Sequence, residues 1–104
     1  MIQDVSDWDF ERVVEGCPTP VLVEFWQPGC GHCQALLKEL ERLQAEMGPR
    51  IRIVKANVQD ARQIASELEI TSLPALALYE NGTFQRFLGG IGTKEHIKNQ
   101  LPGL

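Results

Sequence analysis

The stretch Phe25-Trp26-Gln27-Pro28-Gly29-Cys30-Gly31-His32-Cys33 constrains this chain more than any other. An apolar run, Val21-Leu22-Val23-Glu24-Phe25-Trp26, leads into it, and a helical pattern of Leu36, Leu37, Leu40, Leu43 and Met47 leads out of it. Strand, turn, Cys-x-x-Cys, helix is the setting in which two thiols become a redox couple. Taken alone, such a pair is equally compatible with half of a zinc site. No second pair of this spacing is present, and the other candidate ligands, Cys17 and His96, stand isolated.

A length of 104 residues predicts one domain, 1–104, able to bury a hydrophobic core without staples. The 14 acidic against 10 basic residues leave a net charge of −4, and no basic run offers phosphate contacts, which argues against nucleic acid as a partner. The apolar runs are far too short for a membrane span. No basic stretch followed by an apolar segment opens the chain, and Met1 at its start argues against a processed leader, so a cytoplasmic protein is expected. Three cysteines suit one redox pair and one spare thiol in a reducing compartment better than a disulfide framework.

Read in order, Ile2 to Val5 predicts a short edge strand, and Ser6 caps a helix with Asp7 and Asp9 in its first turn. Phe10, Val13 and Val14 keep the helical period, Gly16 ends it, and Cys17-Pro18-Thr19-Pro20 is a rigid connector. Pro20 to Trp26 reads as a central strand buried on both faces. Gln34 to Met47 is an amphipathic helix stopped by Gly48-Pro49, and Ile51 to Val58 is a second interior strand. Asp60 is expected to cap a short helix carrying Ile64, Ala65 and Leu68. Leu76 to Tyr79, the turn Asn81-Gly82 and Thr83 to Leu88 predict a hairpin with a type I′ turn. Gly89 to Gly92 is a loop, and Thr93 caps a last helix with Ile97 and Leu101. The sum is an α/β chain, a mixed four- to five-stranded sheet with helices on both faces. Trp8 is expected to pack at the edge of the first helix, Cys17 to be a free structural thiol and His96 to be solvated.

With these residues in view, the chain resembles the thioredoxin family over nearly its whole length. Leu73-Pro74 looks like the family's cis-proline, Asn81-Gly82 like its hairpin turn, and Gly90 like the glycine bordering its substrate groove. Lys55 looks like the lysine beside the family's buried acid, and Glu24 stands where that acid is usually aspartate. There are departures. Gly29 replaces the tryptophan that usually precedes the first cysteine, His32 the usual proline between the cysteines, and Lys38 a helix-kinking proline. A histidine at that place is shared with protein disulfide isomerases, and the Pro-Gly-Cys-Gly-His-Cys wording is similar to an atypical bacterial branch. The resemblance implies the thioredoxin fold, protein-disulfide reduction, no bound cofactor or metal, and electrons from an NADPH-dependent flavoprotein reductase. It also implies a monomer acting on disulfide-containing proteins.

Disulfide exchange needs a thiolate that attacks and a second thiol that resolves the mixed disulfide. Cys30 at a helix start suits the first role, because free N–H groups and the helix dipole favour its anion, and Cys33, further in, suits the second. Gly31 and His32 lie between them, and His32 either holds positive charge near Cys30, favouring the reduced form, or is a solvent-facing spacer. Glu24 is an anomaly in an apolar strand. It is either a strand-end acid facing water or, as the resemblance implies, a buried acceptor for the Cys33 proton, relieved by protonation or by pairing with Lys55. Glutamate is long enough to reach the thiol without a bridging water. A cis Pro74 would present the Leu73 backbone to a substrate peptide, whereas an ordinary trans proline at a strand start would not. Trp26 and Gly29 would shape the docking surface. Four readings stay open: reductase, oxidant or isomerase tuned by His32, a binding module using the groove of Gly29, Leu73, Pro74 and Gly90, and a zinc module.

Overall fold

A computed structural model describes residues 2–103. Five strands form one sheet in the order β1-β3-β2-β4-β5, with β1 Gln3–Asp4, β2 Val21–Trp26, β3 Arg52–Asn57, β4 Ala75–Glu80 and β5 Thr83–Phe87. The first three run parallel, while β4 pairs antiparallel to β2 and β5 antiparallel to β4. The five-strand form of the expected mixed sheet is therefore the one found, with β1 at one edge and β2 at the centre.

Side chains alternate across the sheet, so one sequence supplies two cores. Leu22, Ile53, Leu76 and Leu78 face helices α1, Gly31–Met47, and α3, Lys94–Lys98, meeting Leu36, Leu40, Leu43 and Ile97. Val21, Val23, Phe25, Val54, Ala56 and Tyr79 face the other way, packing with Phe10, Val13 and Val14. The short helix α2, Arg62–Glu67, adds Ile64 to this second side. Lys38 is exposed in the middle of α1, which runs without a break where a proline would kink it.

Several local expectations are corrected. The first helix is a π-helical segment, Glu11–Glu15, rather than a regular α-helix. Ser6 does cap the turn before it: its Oγ accepts from the Trp8 N–H at 3.2 Å, and Asp9 Oδ1 accepts from the Ser6 N–H at 2.8 Å. Trp8 does not pack at that helix; it is 97% exposed. Helix α1 starts at Gly31, not Gln34, so the reactive motif lies inside its first turn. Asp60 does not cap α2. The Asp7 carboxylate does, accepting from the N–H groups of Gln63 at 2.9 Å and Ile64 at 3.0 Å. That partner comes from before the first helix, so no local window could reveal it.

Other expectations hold. Asn81 at φ 53° and Gly82 at φ 77° give the left-handed pair a type I′ turn requires. A Cβ on Gly82 would also sit 2.4 Å from the Glu15 carbonyl oxygen, so the turn packs tightly under the end of the π-helical segment. Thr93 Oγ1 accepts from the His96 N–H at 3.3 Å at the start of α3. Cys17 is a free, half-buried thiol 3.3 Å from Thr19 Oγ1, and His96 is exposed. No helix among the described residues is long and apolar enough to cross a membrane.

Candidate active site

The site forms where β2 ends and α1 begins. Gln27 to Cys30 make a turn closed by the Cys30 N–H donating to the Gln27 carbonyl at 3.2 Å, with Pro28 second and Gly29 third at φ 85°. Proline then glycine in those positions is the signature of a type II turn, whose third residue must take a positive φ. Gly29 is thus needed by the turn that aims the chain into α1, in addition to leaving the surface beside Cys30 bare.

Cys30 is the N-cap of α1, and its Sγ accepts from the Cys33 N–H at 3.1 Å. Cys30 and Cys33 are joined as a disulfide with their Cα atoms 5.2 Å apart. Cys30 is partly exposed, whereas Cys33 is 2% exposed. No acidic side chain stands in the first turn of α1 to offset its positive end. When the disulfide is reduced, an anion at Cys30 therefore meets a free N–H and an unopposed dipole, and it is the sulfur a substrate can reach.

Two clefts flank the motif. One, of about 440 Å³, is lined by residues including Cys30, Gly31, His32, Val58, Thr71, Ser72 and Leu73. The other, of about 400 Å³, is lined by His32, Ala35, Leu36, Pro74, Ile91 and Gly92. His32 stands between them on the exposed face of the first turn. The Leu73–Pro74 peptide is cis, and Leu73 precedes the ladder of β4, which starts at Ala75. Gly90, at φ 56°, is exposed and leads directly into the Ile91-Gly92 wall of the second cleft. Ile91, Gly92, Thr71 and Ser72 carry no signal of this role in the sequence; a loop approaching from elsewhere in the chain leaves no local pattern to find.

Behind Cys33 lies a cavity of about 170 Å³ lined by Glu24, Trp26, Cys33, Gln34, Leu37 and Lys55. Glu24 belongs to the row of β2 residues that faces α1, which puts its carboxyl on the same side of the sheet as Cys33. It is 1% exposed, and its Oε2 has no hydrogen-bond partner. Burial pushes its carboxyl up to about 8, against a smaller downward pull from Lys55. The solvent-facing reading of Glu24 is therefore excluded. Pairing with Lys55 is not what relieves it either: the Lys55 ammonium lies 3.7 Å from Asp4 Oδ2 and 5.2 Å from the centre of the Trp26 ring. Protonation is the remaining relief. Trp26 lines this cavity alongside Cys33, with its indole N–H unpaired.

Among the described residues, no group of three or more His, Cys, Asp or Glu side chains is placed to hold a metal ion. A family model described as Thioredoxin matches residues 1–102. The chain is 37% identical over 78 residues to "Thioredoxin" of Haemophilus influenzae, covering 75% of this chain and 73% of that protein. It is 33% identical over 82 residues to "Thioredoxin" of Rickettsia felis, covering 79% and 78%. Against "Thioredoxin M-type, chloroplastic" of Spinacia oleracea it is 29% identical over 100 residues, 96% of this chain but 55% of that protein, so it spans about half the length of this chloroplastic relative.

Proposed function

This chain belongs to the thioredoxin family and is a thiol–disulfide oxidoreductase, and from that premise we propose that it reduces protein disulfides in the bacterial cytoplasm. One observation carries the reading. The partly exposed member of the cysteine pair caps a helix, and the buried member shares a mostly apolar cavity with a carboxyl that burial keeps protonated up to about 8.

The Cys30 thiolate attacks a substrate disulfide, forming a Cys30–substrate mixed disulfide and releasing one substrate thiolate. Cys33 then gives its proton to the ionised fraction of Glu24 and attacks the Cys30 sulfur. The substrate's second sulfur leaves as a thiolate, and the Cys30–Cys33 disulfide forms. Two electrons pass from the dithiol to the substrate. The substrate segment lies across the two clefts, pairing with the Leu73 backbone beside cis Pro74, with Gly29, Gly90 and Trp26 shaping the contact. Electrons return through an NADPH-dependent flavoprotein reductase, the protein holds no cofactor of its own, and it acts as a monomer. Its odd cysteine count and free Cys17 support a reducing compartment.

His32 supports the second reading, oxidation or isomerisation, because it stands against both clefts where a proline would carry no charge. Reduction of insulin by the protein in the presence of a dithiol, with its potential measured against glutathione, separates the readings. Catalysed precipitation and a potential below that of the glutathione pool are expected. Turnover without reduction, or a potential well above the pool, favours the oxidant. No turnover by the intact dithiol rejects both.

A further inference from the structure

Glu24 of β2 and Lys55 of β3 are register partners, and Lys55 is in turn the partner of Asp4 on β1. The three side chains form one row across three parallel strands, carboxyl, ammonium, carboxyl, with neighbouring strands about 4.8 Å apart. Lys55 thus has a carboxyl on each side, and it sits by the outer one. Its ammonium is 3.7 Å from Asp4 Oδ2 and over the Trp26 ring. The inner carboxyl, with an oxygen unpaired, is left facing an apolar cavity.

We propose that Asp4 is a positioning residue for Glu24: it anchors the Lys55 ammonium on the β1 side, away from Glu24, and so sets how readily Glu24 exchanges a proton with Cys33. Only a few groups face Glu24. From β3 comes Lys55, with Asp4 of β1 beyond it; from α1 come the Cys33 sulfur and the uncharged Gln34 and Leu37. From β4 the register partner is Leu76. Lys55 is the sole cation in that set, and its side chain is 22% exposed, so its position decides how much positive charge the cavity feels. Asp4 is 61% exposed at the sheet edge, where a substitution leaves both cores intact. With the Asp4 charge removed, the carboxyl left beside Lys55 in the row is that of Glu24, its register partner on β2. An opposite charge brought within about 4–6 Å favours the ionised carboxyl.

The catalytic consequence rests on the proton-acceptor reading of Glu24, so the test measures the two separately. Titration of the Glu24 carboxyl by its 13C chemical shift, assigned by its loss in Glu24→Gln, is followed in the oxidised protein. Asp4→Asn should lower the midpoint by about one pH unit, and Asp4→Glu should restore it. In a Lys55→Gln background, where the carboxyl titrates higher, Asp4→Asn should move the midpoint by less than half as much. An unchanged midpoint in Asp4→Asn, or an equal shift without Lys55, overturns the proposal. The pH profile of mixed-disulfide resolution should follow the carboxyl. A midpoint that moves while the profile does not supports the placement of Asp4 and rejects Glu24 as the acceptor.

Discussion

His32 occupies the second position of α1, next to the exposed sulfur of the pair and against both clefts. A proline fits the first turn of a helix, since the N–H it lacks has no partner there in any case. His32→Pro should therefore keep the fold while removing a side chain able to place positive charge beside the Cys30 thiolate. The reduced form loses that support, so the couple becomes more reducing, by on the order of 30 mV. Equilibration with glutathione reads the shift; an unchanged potential would make His32 a spacer. Gly29 shows what the sequence hid at this scale. Its lack of a side chain reads as a bare docking surface, but the positive φ it holds comes from a turn whose type depends on the closing hydrogen bond. The pair of cysteines, by contrast, was legible, because spacing and the helical pattern that follows carry their chemistry together.

Among elements, α2 shows how far a cap can come from its helix. Its first N–H groups are satisfied by Asp7, which also donates its own N–H to the Asp60 carbonyl at 3.1 Å. This ties the turn after β1 to the segment that runs on through Ile70, Thr71 and Ser72 into the Cys30 cleft. Asp7→Ala should cost about 1 kcal/mol, the usual loss for a helix cap, and lower the melting temperature by about 4–8 °C for a chain of this size. Asp60→Ala should change it little. Amide exchange at Gln63 and Ile64 should quicken in the first variant alone; equal effects in both would restore Asp60 as the cap. Strands were the most legible elements, since alternation and β-branched runs mark β2 and β3 directly. Helix ends were the least. The starts of α1 and α2 depend on a cysteine sulfur and a distant carboxylate, neither of which is a local capping signal.

Over the whole molecule, two carboxyls respond to pH in opposite directions and in separate windows. Glu46, on α1, takes hydrogen bonds from Lys94 and Lys98 of α3, which pull it from its ordinary 4.5 down to about 2. The support it gives is present above about 4.5 and lost as pH falls towards 2. Because these groups are exposed, salt should weaken that support. Glu24 works the other way. In the unfolded chain it ionises near 4.5, but in the folded protein only near 8. Between those values the native state holds a proton that the unfolded chain has released, so stability is full below about 4.5 and falls as pH rises to about 8. Across that window the fold loses at most about 1.4 kcal/mol for every pH unit, so the whole loss is on the order of a few kcal/mol, a large share of a small domain's stability. A buried acid behind the reactive pair thus destabilises the fold at neutral and alkaline pH, a cost that the acceptor role proposed for it would account for. Glu24→Gln keeps the shape and removes the titration. Denaturant midpoints of the oxidised proteins should fall from about pH 5 to about pH 8.5 in the wild type but stay nearly level in the variant, which should be the more stable of the two at the alkaline end. The same variant should resolve mixed disulfides more slowly. A wild-type slope in Glu24→Gln would place the pH dependence elsewhere, and unaltered resolution would leave the buried carboxyl without its catalytic role.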